Sequence, residues 1–417
     1  KRSKQRWIAT TARTSASATG PSSTKYHLSL RGVEMGPLDG VRVIELAHIM
    51  AGPCCGLMLA DMGADVIKLE KAPAGDDSRR FLPPDIDGES AAFMMMNRNK
   101  RGIVVDLKTE DGKQVLSRLL AKADVVIENY RKGTMERLGL GYESLKKTNP
   151  GLIYCEISGF GRTGPYAERG GFDLIAQGMS KCGAPMADIT AGILGAMGVL
   201  AAYIERAKTG KGQRVDTSLF EAGIVHTYWQ SAIAMASGTS PGPMGSAHPL
   251  NAPYEAFETS DGWITLGAAN QANWLKLLDL IAAPELGEDP RFKDNHDRIT
   301  HRFELAGALA PIFLTRTSDE WLSRLEAAGV PAGPVLDVAE MHRDPQTLAR
   351  EMVTEVPHTK LGLVKTLGAP VKFSATPGGV THGAPLLGEH TREVLSEYSY
   401  HDKEIDLLIN NGTVIAL

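Results

Sequence analysis

Little in this chain announces a chemistry at first sight. Only four of its 417 residues are cysteine, at positions 54, 55, 155 and 182, and no CxxC pair occurs. That excludes a disulfide framework and a cysteine zinc site, and it suits a reducing compartment. HExxH and Walker A motifs are absent, so the usual metalloprotease and P-loop readings have no footing. The turn after the first apolar run is His48-Ile49-Met50-Ala51-Gly52-Pro53, which is not GxGxxG, so a nicotinamide-dependent oxidoreductase lacks its phosphate fingerprint. Charge is nearly balanced, 45 basic against 49 acidic residues, which gives no electrostatic reason to expect nucleic acid or an anionic membrane as partner. No run approaches the ~20 apolar residues of a membrane span. No histidine falls between His48 and His226.

What is present is ordinary for a globular enzyme: 43% apolar and 23% charged residues, in a length that fits about two or three domains. Residues 1–33 stand apart, with seven Lys or Arg, many Ser, Thr and Ala, and no acid before Glu34. That composition fits a mitochondrial-type presequence and equally an extraneous leader. "MGPLDG" from Met35 looks like a natural start, so residues 1–35 are set aside from the fold. The expected location is cytoplasmic, or the mitochondrial matrix if the leader is a presequence.

From Gly40 the pattern is regular. "GVRVIEL", "ADVIKLE", "RGIVVDL", "ADVVIEN", "GLIYCEIS" and "QRVDTSL" read as buried strands. Between them lie helix-period segments, one opened by Pro53 and one capped by Thr109 with Val115, Leu116, Leu119 and Leu120 on one face. A long helix is expected over about 188–208. Such alternation predicts an α/β fold with a doubly wound parallel sheet, whose ligands bind beyond the carboxyl ends of the strands. "HIMAGP", "IENY" and "ISGFGRTGP" all fall there. The run from Tyr254 predicts a hairpin turning at Asp261-Gly262, followed by amphipathic helices around 274–281, 303–313 and 319–328. The expected division is 36–224 and 336–417 as two parts of a large domain, with 225–335 as a smaller α+β domain.

Eight basic residues cluster along the expected ligand edge: Lys68, Lys71, Arg79, Arg80, Arg98, Lys100, Arg101 and Lys108. Together they could hold a polyanion such as a nucleotide with several phosphates. One acid is harder to explain. In "RGGFDLIAQGMS", Asp173 sits after two glycines at the start of an apolar run, with no His, Lys or Cys beside it. It reads either as a helix N-cap or as a nucleophile.

Several long blocks now matter together. "MGADVIKLEK", "NRNKRGIVVDLK", "ADVVIENYRKGTMERLGLGYESL", "GFGRTGPYAERGGFDLIAQ" and "PLLGEHTREVL" occur in this order over nearly all of residues 37–400. In these blocks the chain resembles the class III CoA-transferases, of formyl-CoA transferase and carnitine-CoA transferase type. Within that family it is most similar to the succinyl-CoA:dicarboxylate group. The resemblance implies a Rossmann-like large domain and a smaller domain in an interlocked-ring homodimer. It implies acyl-CoA and a small carboxylic acid as substrates, with no permanently bound cofactor and no metal.

By the same resemblance Asp173 is the catalytic aspartate. A carboxylate is already ionised at neutral pH and needs no base to attack a thioester. The turn His48, Ile49, Met50 and Ala51 would face coenzyme A, together with Lys71, Val105, Lys108, Asn129, Tyr130, Arg137 and Leu138. The loop "GPMGSAH", with Gly245 and His248, matches the substrate-side glycine loop. Arg98 and Arg298 match arginines that face the distal carboxylate of a dicarboxylate. Met50 stands where formyl-CoA transferases have Gln, which argues against formyl and oxalate specificity. The family's glycine-rich stretch after "AQGMS" is missing, because Ser180 runs into "KCGAPMADI"; we read this as a loop left out of the sequence. Alternatives are an acyl-CoA racemase, disfavoured by Phe172 in place of a His before the Asp, and a non-catalytic acyl-CoA-binding protein.

Overall fold

The computed structural model describes residues 36–164, 167, 184–268 and 270–417. Strand β1 (Arg42–Glu45) leads through a turn into helix α1 (Ala51–Asp61) and strand β2 (Asp65–Lys71). Strand β3 (Lys100–Val105), helix α2 (Glu110–Leu120), β4 (Val125–Glu128) and β5 (Ile153–Ser158) follow. Helix α3 (Met186–Thr209) then leads to β6 (Arg214–Ser218), α4 (Leu219–Val225) and α5 (Tyr228–Ser237).

These strands form because their apolar runs are buried on both faces. Val43, Val66 and Val125 point into one layer with α1 and α3, while Ile44, Ile67 and Val126 point into the other with α2. The period of two in a sheet covered on both sides requires this alternation. Helix α2 starts where the Thr109 hydroxyl accepts the Gly112 N–H at 3.0 Å, a cap contributing about 1 kcal/mol. Its Val115, Leu116, Leu119 and Leu120 are fully buried, each stabilising the layer by about 1.5–3 kcal/mol. Helix α1 lies unusually close to β1. A Cβ on Gly52 would collide with Ala47, and one on Gly56 with the Glu45 carboxylate.

Helix α3 corrects one sequence expectation. By length and composition it is apolar enough to cross a membrane, with a mean hydropathy of 1.6 over its best window. Here it packs Ala191, Gly195, Ala196 and Val199 against α1 and the sheet. Its small residues permit close approach, and this is what makes the segment so apolar.

The smaller sheet is antiparallel: β7 (Tyr254–Glu258), β8 (Trp263–Gly267) and β9 (Ala332–Pro334), with β8 central. Helices α6 (Gln271–Ile281), α7 (Arg302–Phe313) and α8 (Ser318–Ala327) cover it. Their core is aromatic, with Trp274, Phe257, Phe313 and Trp321 in one cluster. The β7–β8 turn is tied to α8, where Asp261 accepts the Ser318 N–H at 2.8 Å. A hairpin of β10 (Val353–His358) and β11 (Gly362–Leu367) precedes α9 (Thr391–Glu397), α10 (Asp402–Asn410) and β12 (Val414–Ile415). The last strand returns to the large sheet, whose order is β12-β3-β2-β1-β4-β5-β6. Its strands are parallel except β12, which runs antiparallel to β3.

Candidate active site

The strand order reverses at β1, with β2 and β3 on one side and β4, β5 and β6 on the other. The crevice beyond the carboxyl ends of β1 and β4 is the switch point at which open α/β sheets bind ligands. Two segments singled out in the sequence meet there. The Asn129 side chain holds the His48 backbone at both of its polar groups. Its Oδ1 accepts the His48 N–H and its Nδ2 donates to the His48 carbonyl, each at 2.9 Å. The Tyr130 ring lies 5.4 Å from the His48 imidazole. Burial and then the nearby Lys68 ammonium push the His48 pKa below its ordinary value, which keeps the ring neutral at pH 7.

Ile49 has φ of 67°, a left-handed conformation that a β-branched residue rarely takes. Its N–H points at the Asp76 carboxylate, 3.1 and 3.2 Å from the two oxygens. Met50 then caps α1, and Ala51 is buried in its first turn.

A buried ionic cluster underlies this turn. Lys68 Nζ lies 3.1 Å from Glu45, 2.9 Å from Asp76 and 2.9 Å from the Ala47 carbonyl. Lys100 Nζ lies 2.8 Å from the other Glu45 oxygen and donates to Asn97 and the Pro53 carbonyl. Burial opposes the charge on Lys68, but Glu45 and Asp76 more than offset it and hold its pKa above the ordinary lysine value. Burial likewise opposes ionisation of Asp76, and Lys68 overrides it, so the carboxyl is held well below the usual carboxylate range. Lys100 goes the other way. Burial brings it down to about 8 despite Glu45. Cys54, in the next turn of chain, is a poor nucleophile because burial pushes its thiol up to about 11.

A second cluster lies across the crevice. Glu128 and Glu156 are register partners at the ends of β4 and β5. Arg162 sits between them, with Nη2 2.5 Å from Glu128 and Nε 3.1 Å from Glu156. Its Nη1 donates to the Tyr130 carbonyl at 3.0 Å, and Arg214 pairs with Glu156 from the far side. Arg162 belongs to the loop that leads from β5 towards residues 168–183. Asp173 lies outside the described residues, but the root of its segment is fastened to the strand end that carries Asn129 and Tyr130.

The other residues singled out in the sequence are scattered. Lys71 and Lys108 are exposed near the ends of β2 and β3. Arg137, on a short helix after β4, donates to the Thr134 hydroxyl at 2.9 Å, and Leu138 packs on the core. Val105 is fully buried, so its side chain faces the core and only its backbone could border a ligand. Gly245 takes φ of 60°. The His248 N–H donates to the Tyr254 carbonyl at 2.9 Å, and its ring packs against Tyr254 and Trp229.

Two expectations need correction, for Arg98 and for the basic cluster, and Arg298 proves to be held by scaffold groups. Arg98 is 3% exposed, and its guanidinium pairs with Asp61 at 2.6 Å. Arg298 is fully buried and lines a cavity of about 940 Å³ beside the antiparallel sheet. Its Nε donates to the Ala252 carbonyl at 2.7 Å, and its Nη1 donates to Gln271 and the Phe292 carbonyl. Arg98 is tied into the scaffold, and its surroundings do not support a carboxylate-facing role; Arg298 is held by the scaffold at the wall of a cavity. The basic cluster is not a free cationic patch either. Lys68, Lys71, Arg79, Arg80, Arg98, Lys100 and Arg101 each pair with a carboxylate. Among the described residues, only Lys108 of the eight has no ion pair.

The family model for CoA-transferase family III matches residues 38–391. This chain belongs to that family. It is 39% identical over 381 residues to the succinate–glutarate CoA-transferase of Agrobacterium fabrum, covering 87% of this chain and 95% of that one. It is 37% identical to the acetyl-CoA:oxalate CoA-transferase of Acetobacter aceti, covering 87% and 96%. A crystal structure of a CAIB/BAIF family protein from Brucella suis matches with a TM-score of 0.78 at 41% identity, over 88% of this chain and all of that one. The protein is a CoA-transferase whose substrates are CoA thioesters.

Sequence reasoning missed Asp76, Glu45, Glu128, Glu156 and Arg162 as parts of the site. A signal for three of them was available. Glu45, Glu128 and Glu156 are acids near the carboxyl ends of largely apolar strands. A charge in a strand buried on both faces must have a partner beyond the strand.

Proposed function

We propose that this protein moves CoA from succinyl-CoA to a C4–C6 dicarboxylic acid through covalent intermediates on Asp173. The observation that carries the reading is the anchoring of the Asp173 segment's root, by Arg162, on the strand end that forms one wall of the switch-point crevice. The opposite wall is the clamped turn His48–Ala51, where the CoA moiety would lie. Lys108, which has no ion pair among the described residues, would meet a phosphate at the same edge. Similarity to enzymes named for succinyl-CoA and glutarate supports the choice of acids. The Acetobacter relative named for oxalate keeps the acceptor a matter for a substrate panel.

The chemistry is balanced without ATP or metal. An Asp173 oxygen attacks the thioester carbonyl, the C–S bond breaks, and an aspartyl–succinyl anhydride and CoA thiolate result. The thiolate attacks the aspartyl carbonyl and releases succinate, which leaves an aspartyl-CoA thioester. The acceptor carboxylate attacks that thioester to give a new anhydride and free thiolate. The thiolate then attacks the acceptor's acyl carbonyl, which forms the product thioester and restores the Asp173 carboxylate. The protein supplies positioning and donors for each oxyanion.

A second copy of the chain completes this reading. Helix α5 buries none of its residues within one chain, leaving Tyr228, Trp229 and Met235 to solvent. An apolar face of that size calls for a partner, and the resemblance supplies a homodimer.

The deciding experiment incubates the protein with succinyl-CoA, quenches it, and seeks CoA or a hydroxamate on the Asp173 peptide by mass spectrometry. Modification is expected there and not in Asp173→Ala, whose kcat falls by about 10³-fold or more. An unmodified peptide in a protein that binds CoA sinks the covalent route. Light scattering on the same preparation should read twice 44.8 kDa; a monomer would remove the second copy.

A further inference from the structure

We propose that Asp76 is a positioning residue for acyl-CoA, acting by holding the Ile49 peptide in its left-handed conformation. The inference rests on reading His48–Ala51 as the CoA wall.

The two residues of this turn are held in different ways. His48 is held by Asn129, a neutral amide that matches one donor and one acceptor. Ile49 carries the strain. A β-branched residue at φ of 67° costs on the order of what other left-handed non-glycine residues cost, and it persists only where its surroundings fix it. Asp76 is what fixes it. The carboxylate sits below the Ile49 N–H and reaches it with both oxygens.

Asp76 is itself fixed from several directions. Its Oδ1 also accepts from the Ser78 N–H at 2.9 Å and the Ser78 hydroxyl at 2.8 Å. Its Oδ2 pairs with Lys68 at 2.9 Å. Its own N–H donates to Glu70, which Arg79 holds with two hydrogen bonds of 2.7 Å. Lys68 in turn spans Asp76, Glu45 and the Ala47 carbonyl, just before the turn begins. All the groups that hold Asp76 are on the rigid sheet or the segment following β2. The strained peptide is thus referenced to the sheet through a fully buried carboxylate. Asp76 does not line the crevice; it sets the backbone of a residue that does.

The test is a double-mutant cycle with a substitution that removes the strain. Glycine adopts positive φ at no steric cost, so Ile49→Gly makes the clamp unnecessary while also removing a side chain. Asp76→Ala is expected to raise the KM for succinyl-CoA about tenfold, with kcat and the acceptor KM within about twofold. In the Ile49→Gly background the same substitution should cost less than about threefold. A merely structural role would weaken both backgrounds equally.

Asp76→Asn keeps the shape and one acceptor, and it carries the test if the alanine variant does not fold. It should raise the KM by a smaller factor, and amide hydrogen exchange of the peptide spanning 47–53 should quicken. A folded Asp76→Ala with unchanged KM, an equal penalty in both backgrounds, or an asparagine variant with unchanged KM and exchange would each overturn the inference. If the wild-type protein neither binds nor turns over succinyl-CoA, the functional reading falls and takes the inference with it. A wild type that turns over, beside variants that do not differ from it, condemns the inference alone.

Discussion

At the carboxyl edge of the sheet, β1 and β2 bring Glu45 opposite Lys68, whereas β4 and β5 bring Glu128 opposite Glu156. The first pairing satisfies itself. With Asp76, Lys100, and the Glu70–Arg79 pair, the cluster beside β1 has three carboxylates and three cations, held by strands or by the short segment after β2. The second pairing cannot satisfy itself, because two buried carboxyl groups face each other with no cation on either strand between them. It is completed by Arg162, which reaches in from a loop, and by Arg214 from β6. With Asp216 accepting the Arg162 N–H at 3.2 Å, that side has one carboxylate in excess. One cluster therefore makes the crevice wall rigid by itself. The other makes the rigidity of its wall depend on the loop that leads to Asp173. A register of two carboxyl groups at a strand end is a device for recruiting a loop.

The largest effects should come from breaking each cluster at its central cation. Removing one partner of a buried charge set costs about 3–5 kcal/mol, because the remaining charges stay buried and uncompensated. Arg162→Met should reach the upper part of that range, since it takes the shared partner from Glu128, Glu156 and the Tyr130 carbonyl at once. Lys68→Met should fall in the lower part, since Lys100 still holds Glu45. Urea unfolding of both variants checks the order. The comparison fails if Lys68→Met is the more damaging, or if Arg162→Met retains wild-type kcat at a temperature where it is folded.

A pH series separates the two sides at lower cost to the fold. Burial pushes the Glu128 carboxyl up to about 8, with Arg162 pulling it down and Glu156 adding to the rise. Between the ordinary glutamate value of 4.5 and about 8, the folded chain keeps a proton that the unfolded chain has released. This contribution to stability is present in full below 4.5 and is lost as pH rises towards 8. Asp76 has the opposite sign. Its folded value lies below the ordinary 3.8, so its contribution is present above that pH and is lost only as pH falls below it. Glu128→Gln should therefore match the wild type near pH 5 and gain on it steadily up to pH 8.5 in urea midpoint. A constant difference across that window would mean that Glu128 is ionised throughout, and that the two clusters do not differ as described.

The same contrast explains what could be read from the sequence. The six parallel strands, the helix capped by Thr109 and the hairpin at Asp261-Gly262 were legible because each is local: a period, a cap, a turn pair. The switch point was legible only as three strand-end segments, since strand order is a matter of long-range pairing. Charges were misread. Lys68, Arg98 and Lys100 were taken as candidates for phosphate or carboxylate, yet each is answered by an acid far along the chain or across a strand. A linear sequence gives the sign of a charge and its spacing, but not whether a partner has already claimed it. In the run "NRNKR", Asn97, Arg98, Asn99 and Lys100 are all buried. The partners of Arg298 are equally silent in the sequence, two backbone carbonyls and the amide of Gln271.

Lys108 gives the smallest effect and the sharpest reading of that lesson. It is exposed at the edge beyond β3, and among the described residues it is the one cation of the eight with no ion pair. If the seven paired cations hold the fold and the unpaired one meets substrate, Lys108→Ala should change stability by less than about 0.5 kcal/mol. Its KM for succinyl-CoA should rise about two- to fivefold, the scale of one exposed charge–phosphate contact. The increase should shrink as salt is raised, because an exposed contact is screened within about 10 Å at 0.1 M. Lys71→Ala is the control, since Lys71 is exposed nearby but pairs with Asp77 at 2.8 Å. An equal rise in KM for both would mean that surface pairing does not withhold a lysine from the nucleotide. In that case the edge acts as a diffuse field, and only the buried clusters have assigned partners.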